Sequence, residues 1–305
     1  MKQKIYIRPL ETIDADGISS SAKHRSEFRF STARLNEILT DRCLLEARLG
    51  RQPAAVAGLD LGRLAIDGPW NIATPTNPDV HRKIIVALER LAVSYGLKRL
   101  CAHPNKSLTG IFRDCGYRQS GKGWSRSIIR RTTRFGRMVR DIGKELGIPG
   151  DYGALHRLRL QPEAVKLSSI GKDIYERQQK MTPGAADSWK KMVKAASADD
   201  IIIQPVSAFR SVDYQAGLVR RKLEKGQSME QILSVSAAPG YSEHHTGNAI
   251  DITTPGYDVL EEPFEDSPAF EWLSENAADF GFILSYPRNN RHGVCYEPWH
   301  WCWRR

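Results

Sequence analysis

SEHHTGNAID, residues 242–251, is the most informative stretch of this chain. It places His244 in a segment flanked by serine and glycine, and Asp251 after a short apolar run. A turn that folds this segment back over the apolar strand brings the two side chains together. Imidazole nitrogen and carboxylate oxygen are both ligands that zinc accepts. The stretch therefore predicts two ligands of one metal ion.

EPWH, residues 297–300, supplies the remaining parts of such a site. A catalytic zinc ion has three protein ligands and keeps a further position for water, and His300 completes the set. Glu297 precedes it closely enough to stand beside the metal and accept the proton of a zinc-bound water. Each residue alone is weak evidence, because single histidines on strands commonly have structural roles and Trp299 and Trp301 are typical of a core. The two spacings together predict a catalytic zinc site.

These two stretches, with SAFRS at 207–211 and Gln215, resemble the VanY-type D-alanyl-D-alanine carboxypeptidases of the LAS metallopeptidase group. The resemblance covers roughly residues 150–305. It implies a small α+β scaffold whose antiparallel sheet carries the ligands. It also implies Zn²⁺ as the cofactor, with Glu297 as the catalytic base and with the metal bound by His244, Asp251 and His300.

The resemblance also implies residues that contact the substrate. Arg210 matches the family's arginine and either stabilises the oxyanion or holds the C-terminal carboxylate through a bidentate pair; the sequence leaves both roles open. We expect His245 to be a bystander. Ser242 either contacts substrate or only caps its loop. The full set of expected substrate contacts is Arg210, Ser207, Gln215, Ser242 and Trp299.

The reaction that this resemblance implies is zinc-dependent removal of the C-terminal D-Ala from peptidoglycan-type peptides. The expected partners are therefore stem peptides or muropeptides, and we do not expect nucleic acid. An L,D-carboxypeptidase or a muropeptide endopeptidase stays open as a close alternative, since the same metal site serves all of them. An alternative of a different class is an acetyltransferase with a vestigial peptidase domain.

Residues 1–125 resemble a GNAT acetyltransferase and predict an α/β domain. The opening IYIRPLETIDADGIS, the helix-like VHRKIIVALERLAVSYG at 80–96 and the later IFRDCGYRQSG carry this resemblance. An acetyl-CoA site needs a glycine-rich loop whose N–H groups face the pyrophosphate. The corresponding place, TNPDVHRK at 76–83, contains no glycine. We therefore expect a degenerate domain that serves as a structural relic or a binding platform.

A basic linker is predicted over 126–150, ahead of a peptidase domain at 151–305. Its arginines recur at helical spacing, which favours a solvated helix over a nucleic-acid surface; they are Arg126, Arg130, Arg131, Arg134, Arg137 and Arg140. The net charge of +10 fits either interpretation. The five cysteines form no CxxC pair and indicate reduced thiols. The N-terminus shows no apolar signal segment, so we expect a cytoplasmic location, with periplasmic action left open.

Apolar periodicity and terminating glycines predict the regular elements. In residues 1–125 these are a strand at Lys4–Arg8, a helix opening at Asp14–Ile18, a helix at Val80–Tyr95 and a strand at 97–102. Farther along they are helices at Asp187–Ala198, Tyr214–Lys225 and Ala269–Phe280, with strands at Ile201–Val206 and Asn248–Thr253.

Overall fold

The computed structural model describes residues 5–9, 44–49, 52–61, 65–71, 77–104, 106–121, 123–129 and 133–304. The chain forms two compact units: Met1–Gly136 with Gly153–Arg159, and Arg137–Tyr152 with Leu160–Arg305. The helix predicted at Asp14–Ile18 lies outside the described residues. Across the described ranges, no helix combines the length and apolar character needed to cross a membrane.

The first unit is built on a seven-stranded sheet in the order β1-β2-β3-β4-β5-β7-β6. Neighbouring strands are antiparallel except β4 and β5, which are parallel. The strands are β1 (Ile5–Pro9), β2 (Leu44–Leu49), β3 (Gln52–Asp60), β4 (Ala65–Asn71), β5 (Arg99–Ala102), β6 (Arg118–Ser120) and β7 (Gly123–Ser127). Helices α1 (Pro78–Ser94) and α2 (Thr109–Asp114) accompany the sheet.

Helix α1 confirms the predicted amphipathic helix and packs its apolar face into the core of this unit. Ile84, Ile85 and Leu88 are fully buried there. The helix is capped by its own sequence, because Asn77 Oδ1 accepts from the Asp79 N–H at 2.9 Å. Pro78 has no N–H to donate. This helix start therefore offers few free N–H groups to a pyrophosphate.

The arginines predicted to share one helix fall into different elements. Helix α3 (Arg134–Leu146) contains Arg134, Arg137 and Arg140, while Arg130 and Arg131 lie outside the described residues. Arg126 lies in strand β7, where its Nη1 pairs with the buried Glu89 Oε1 at 2.8 Å. A buried carboxylate of this kind requires a charged partner. Arg126 therefore neutralises a buried carboxylate of the first unit and does not lie on a solvated helix face.

The second unit contains a hairpin and a four-stranded antiparallel sheet. The hairpin pairs β8 (Ser168–Lys172) with β9 (Gln178–Met181). The sheet has the order β10-β11-β13-β12 and consists of β10 (Gln204–Ser207), β11 (Ala249–Thr253), β12 (Phe282–Leu284) and β13 (His300–Trp303). The small antiparallel sheet expected to carry the ligands is thus present.

Several helices complete the second unit. After the short α4 (Tyr152–Leu155) they are α5 (Pro183–Ala198), α6 (Val212–Glu224), α7 (Met229–Ser234) and α8 (Pro268–Asn276), with 3₁₀ turns at Glu243–Thr246, Glu262–Asp266 and Ala277–Phe280. The buried face of α5 places Trp189 and Met192 in one cluster with Ile250, Phe282 and Trp301. The core role expected for Trp301 is therefore confirmed.

Two elements differ from their predicted bounds for local reasons. Helix α5 begins at Pro183, earlier than expected, because proline suits the first turn of a helix. The strand predicted over Ile201–Val206 is observed at Gln204–Ser207. Asp200 adopts a left-handed conformation with φ of 59°, and the Ile201 N–H donates to Ala196 O at 2.9 Å. The start of the predicted strand thus closes the preceding helix.

Candidate metal centre and active site

The register of the sheet brings two of the predicted ligands together. Asp251 on β11 lies directly opposite His300 on β13. On the other side of β11, Asp251 is opposite Ser207 of β10. Side chains directly opposite each other in an antiparallel pair lie on the same face. The central strand therefore presents a carboxylate between an imidazole and a serine.

His244 reaches the same place from the 3₁₀ turn Glu243–Thr246. This turn ends at Gly247, whose φ of 67° is a left-handed conformation that suits glycine. A Cβ at this position would lie 2.9 Å from Leu167 Cδ2 and 3.2 Å from the Thr182 backbone nitrogen. The glycine of the sequence pattern thus provides both the reversal and the close packing that direct the chain from His244 into β11.

The ligand atoms of His244, Asp251 and His300 all lie within 4.8 Å of one another. His244 Nε2 is 3.2 Å from Asp251 Oδ2, and His300 Nδ1 is 3.0 Å from Asp251 Oδ1. All three residues are buried. The structure therefore brings together the three side chains that the sequence predicts as metal ligands.

Each imidazole has its other nitrogen occupied by an acceptor. His244 Nδ1 lies 2.6 Å from Ala208 O, and His300 Nε2 lies 3.2 Å from Glu243 Oε2. These contacts favour the tautomers in which His244 Nε2 and His300 Nδ1 keep free lone pairs. His244 Nε2 is buried without a hydrogen-bond partner among the described residues. Two nitrogen lone pairs and a carboxylate that converge in this way fit a zinc ion.

Glu243 is a component of the site that the sequence analysis missed. It is buried, and its Oε2 also accepts from Ser285 Oγ at 2.6 Å. Its Oε1 accepts from the guanidinium of Arg304. The only signal in the sequence was an acidic residue directly before the predicted ligand His244. Its partner His300 is 57 residues farther along, so that sequence position alone does not reveal the pair.

The electrostatics of this cluster favour a cation. Burial favours a neutral Asp251, but the neighbouring His244 and His300 hold its pKa well below the usual range. Burial likewise opposes a charged His300, yet hydrogen bonds to Asp251 and Glu243 raise its pKa to about 10. The pKa of His244 falls to about 4, first through burial and then through the charge of Arg210. The carboxylates around His300 therefore attract positive charge, which a proton or a divalent ion supplies.

Glu297 lies beside the cluster of His244, Asp251 and His300 but is not one of its members. Its Oε2 is 3.7 Å from His300 Nδ1, and its backbone N–H donates to Tyr286 O at 3.1 Å. Burial, assisted by the negative charges of Asp251 and Glu243, raises the pKa of Glu297 to about 7 against the opposing charges of His300 and Arg210. A carboxylate with a pKa near neutrality is suited to exchange protons.

A cavity of about 690 Å³ opens onto these residues. Every residue predicted to bind metal or substrate, or to act as the base, lines it: Ser207, Arg210, Gln215, Ser242, His244, Asp251, Glu297, Trp299 and His300. Arg210 Nη2 lies 3.9 Å from Asp251 Oδ2. The residues that the sequence analysis grouped by pattern therefore share one continuous space.

Ser242 precedes the 3₁₀ turn, and His245 lies within it. The Ser242 side chain makes no capping bond to the 3₁₀ turn that follows it. His245 is fully buried; its Nε2 accepts from the Gly240 N–H at 3.0 Å, and its Nδ1 lies 2.6 Å from Arg210 O. His245 thus holds the backbone of Arg210 and does not line the cavity.

Comparison with solved structures finds acetyltransferases as well as peptidases. A GCN5-related N-acetyltransferase from Kribbella flavida has a TM-score of 0.32 and 16% identity, covering 38% of this chain and 33% of that chain. GNAT-like structures are thus among its structural neighbours. The loss of acetyl-CoA binding stays a prediction.

The peptidase comparisons concern the second unit. The family described as "VanY: D-alanyl-D-alanine carboxypeptidase" matches residues 178–305. "Putative carboxypeptidase YodJ" of Bacillus subtilis is 31% identical over 166 residues, covering 52% of this chain and 57% of that protein. The bifunctional D-Ala-D-Ala dipeptidase and carboxypeptidase VanXYC of Enterococcus gallinarum is 31% identical over 125 residues, covering 39% of this chain and 65% of that protein.

The solved structure of the LdcB LD-carboxypeptidase has a TM-score of 0.43 and 30% identity, covering 46% of this chain and 69% of that chain. This chain spans less than two thirds of the length of the curated relatives named above. The family match itself contains Asp251, Glu297 and His300 together with the whole segment 242–251. Residues 178–305 therefore form a domain of the VanY D-alanyl-D-alanine carboxypeptidase family, which is a family of peptidases.

Proposed function

We propose that the domain predicted at 151–305 is a zinc-dependent D,D-carboxypeptidase that removes the C-terminal D-Ala from peptidoglycan-type peptides. The observation that carries this proposal is the convergence of His244 Nε2, Asp251 and His300 Nδ1 beside Glu297. The family match to a D-alanyl-D-alanine carboxypeptidase supports the substrate class. Zinc bound by the three ligands would supply a Lewis acid that polarises the scissile carbonyl and makes water more acidic.

Glu297 is the proton carrier in this proposal. Its carboxylate takes the proton of the attacking water and passes it to the nitrogen of the leaving D-Ala. Burial raises the pKa of Glu297, which favours uptake of this proton. Its backbone N–H donates to Tyr286 O, and the residue lines the cavity together with His300. Arg210, with Nη2 at 3.9 Å from Asp251 Oδ2, is placed to stabilise negative charge that develops on the carbonyl oxygen.

Glu243 acts on His300 and not on the substrate. Its carboxylate accepts the Nε2 proton of the ring, which leaves the Nδ1 lone pair available to a metal ion bound beside Asp251. Ser285 and Arg304 donate to the same carboxylate and hold it in place. We therefore propose Glu243 as a positioning residue of the metal centre.

The proposal is tested by incubating the zinc-loaded protein with synthetic pentapeptide and tetrapeptide stems and determining the masses of the products. A D,D-carboxypeptidase removes one D-Ala from the pentapeptide and leaves the tetrapeptide intact. Cleavage of the tetrapeptide alone would instead support the L,D-carboxypeptidase alternative, and release of internal fragments from cross-linked muropeptides would support the endopeptidase. The control is the same protein treated with a chelator and then restored with Zn²⁺. Hydrolysis that persists without metal would reject the metal centre.

A further inference from the structure

The cavity is lined by a cationic side chain, Lys222, that has no role in the reaction proposed above. Lys222 lies on α6, about two helical turns after Gln215, and lines the same space as Arg210, His244 and Glu297. Its Nζ donates to Ser236 Oγ at 2.9 Å, and the side chain is partly buried. No carboxylate of the described part of the chain lies within ion-pair distance of it. A partly buried ammonium without an ionic partner is costly unless a ligand supplies one.

The other cations of the cavity differ from Lys222 in this respect. Arg177 is already neutralised, because its Nε donates to Asp173 Oδ2 at 2.7 Å and its Nη2 to Val206 O at 3.0 Å. Arg210 Nη2 lies 3.9 Å from Asp251 Oδ2, so this cation has a carboxylate within ion-pair distance, although its buried Nε has no hydrogen-bond partner among the described residues. Burial lowers the pKa of Lys222, and the positive charge of Arg210 lowers it further. Positive charge is therefore in excess on this side of the cavity, and an anion that binds there relieves it.

Two further polar side chains, Gln215 and Ser236, line the cavity together with Lys222. Gln215 is 1% exposed; its Nε2 donates to Ala237 O at 2.9 Å, whereas its Oε1 has no partner among the residues described. The Ser236 hydroxyl is beside the ammonium. An ammonium and a hydroxyl match a carboxylate, and a free amide oxygen matches a peptide N–H. A C-terminal amino acid presents both groups close together.

We propose that Lys222 and Ser236 form the subsite for the free C-terminal carboxylate of the substrate, with Gln215 Oε1 accepting the N–H of the residue to be released. The inference rests on the proposed carboxypeptidase function and deepens it. It leaves Arg210 beside the metal ligands for the carbonyl oxygen and thus separates the two roles that the sequence left open. It also explains why the site would prefer chain ends to internal bonds, since an internal bond offers Lys222 no charge.

The test compares diacetyl-L-Lys-D-Ala-D-Ala, which carries one carboxylate, with its C-terminal amide. The zinc-loaded wild type is expected to prefer the acid. Lys222→Met keeps the aliphatic stem and should lower kcat/KM for the acid about 10- to 100-fold, the effect of losing one hydrogen bond between charged groups, while the amide rate stays unchanged. Lys225→Met, an exposed cation at the end of the same helix, is the matched control and should change neither rate.

An equal loss on both peptides, or a preference for the acid that survives in Lys222→Met, would overturn the subsite. Failure of the proposed function is recognised separately, because the wild type would then hydrolyse neither peptide. In that case calorimetry on the Glu297→Ala protein decides about the subsite. Tighter binding of the acid than of the amide, abolished by Lys222→Met, would support it, and equal binding of the two peptides would reject it.

Discussion

Glu243 Oε2 lies 3.2 Å from His300 Nε2, on the side of the ring opposite to Asp251. Glu243→Gln retains the shape of the side chain but loses the negative charge that fixes the Nε2 proton. We expect the dissociation constant for Zn²⁺ to rise about 10- to 100-fold, the effect usual for the partner of a metal-bound histidine. Competition with a chromogenic chelator measures this directly.

Ser285→Ala is the control for Glu243, since it removes one donor to the carboxylate and leaves the contact with His300. It should weaken zinc binding much less. Substitution of Co²⁺ provides a second measurement, because a changed orientation of His300 shifts the visible absorption of the metal, whereas a purely structural loss does not. An unchanged affinity and spectrum in Glu243→Gln would contradict the positioning role.

Glu297→Ala separates the chemistry from metal binding. The side chain is beside His300 but is not one of the three proposed ligands, so zinc content should remain that of the wild type. Turnover of the pentapeptide should fall about 10²- to 10⁴-fold, the range for loss of a general acid–base group. Glu261→Ala, which removes an exposed carboxylate from the same cavity, should keep full activity. A fully active Glu297→Ala protein would exclude Glu297 as the base.

Gly247→Ala tests why the motif requires glycine. The substitution places a methyl group in a left-handed conformation and 2.9 Å from Leu167 Cδ2. The conformation alone costs about 1–2 kcal/mol, and the crowding adds to it. Gly256→Ala shares the positive φ but has no atom within 4 Å of the new Cβ, so it isolates the conformational part. Urea denaturation should show a larger loss for Gly247→Ala; equal losses would mean that the close packing has no energetic role.

The convergence of His244, Asp251 and His300 could be predicted from the sequence because a short local pattern carries each of these residues. The sequence of residues 242–251 contains the turn, the reversal at Gly247 and the strand that presents Asp251. The pairing of β11 with β13 closes a long connection and depends on tertiary packing, which local periodicity does not contain. The contact of Glu243 with His300 follows from that pairing and was missed for the same reason.

Predictions from charge pattern were less successful than predictions from apolar pattern. Arg126 continues the spacing of the arginines that follow it, yet the buried Glu89 holds it in β7. Lys222 likewise resembles any solvated lysine near a helix end, and only the fold shows that it lines the cavity. Long charged side chains have apolar stems and mobile heads, so their surroundings are set by distant partners. Helix α1, in contrast, was predictable because its apolar face alone determines how it packs.

Asp173 provides a prediction that is independent of the metal. Its Oδ1 accepts from the Tyr175 and Arg177 N–H groups at 2.8 and 2.9 Å, and its Oδ2 accepts from Arg177 Nε and Gln179 Nε2 at 2.7 and 2.8 Å. Asp173→Asn places an amide against these donors. The free energy of unfolding should fall by about 1–3 kcal/mol at pH 7, because at least one donor loses its acceptor. Glu275→Gln, an exposed carboxylate on α8, is the control and should change stability little.

The ionisation of Asp173 makes the stability difference between the wild type and Asp173→Asn depend on pH. Burial alone would raise the pKa of Asp173, but hydrogen bonds from Arg177, Tyr175 and Gln179 outweigh it and lower the pKa. A lowered pKa stabilises the folded state above the unfolded pKa of about 3.9, and this contribution is lost as the pH falls through the folded value. The gap between wild type and Asp173→Asn should therefore be constant from pH 7 to about 5 and shrink on further acidification. Urea midpoints followed by tryptophan fluorescence measure the gap, and one that widened toward acid would show that Asp173 is not held as an anion.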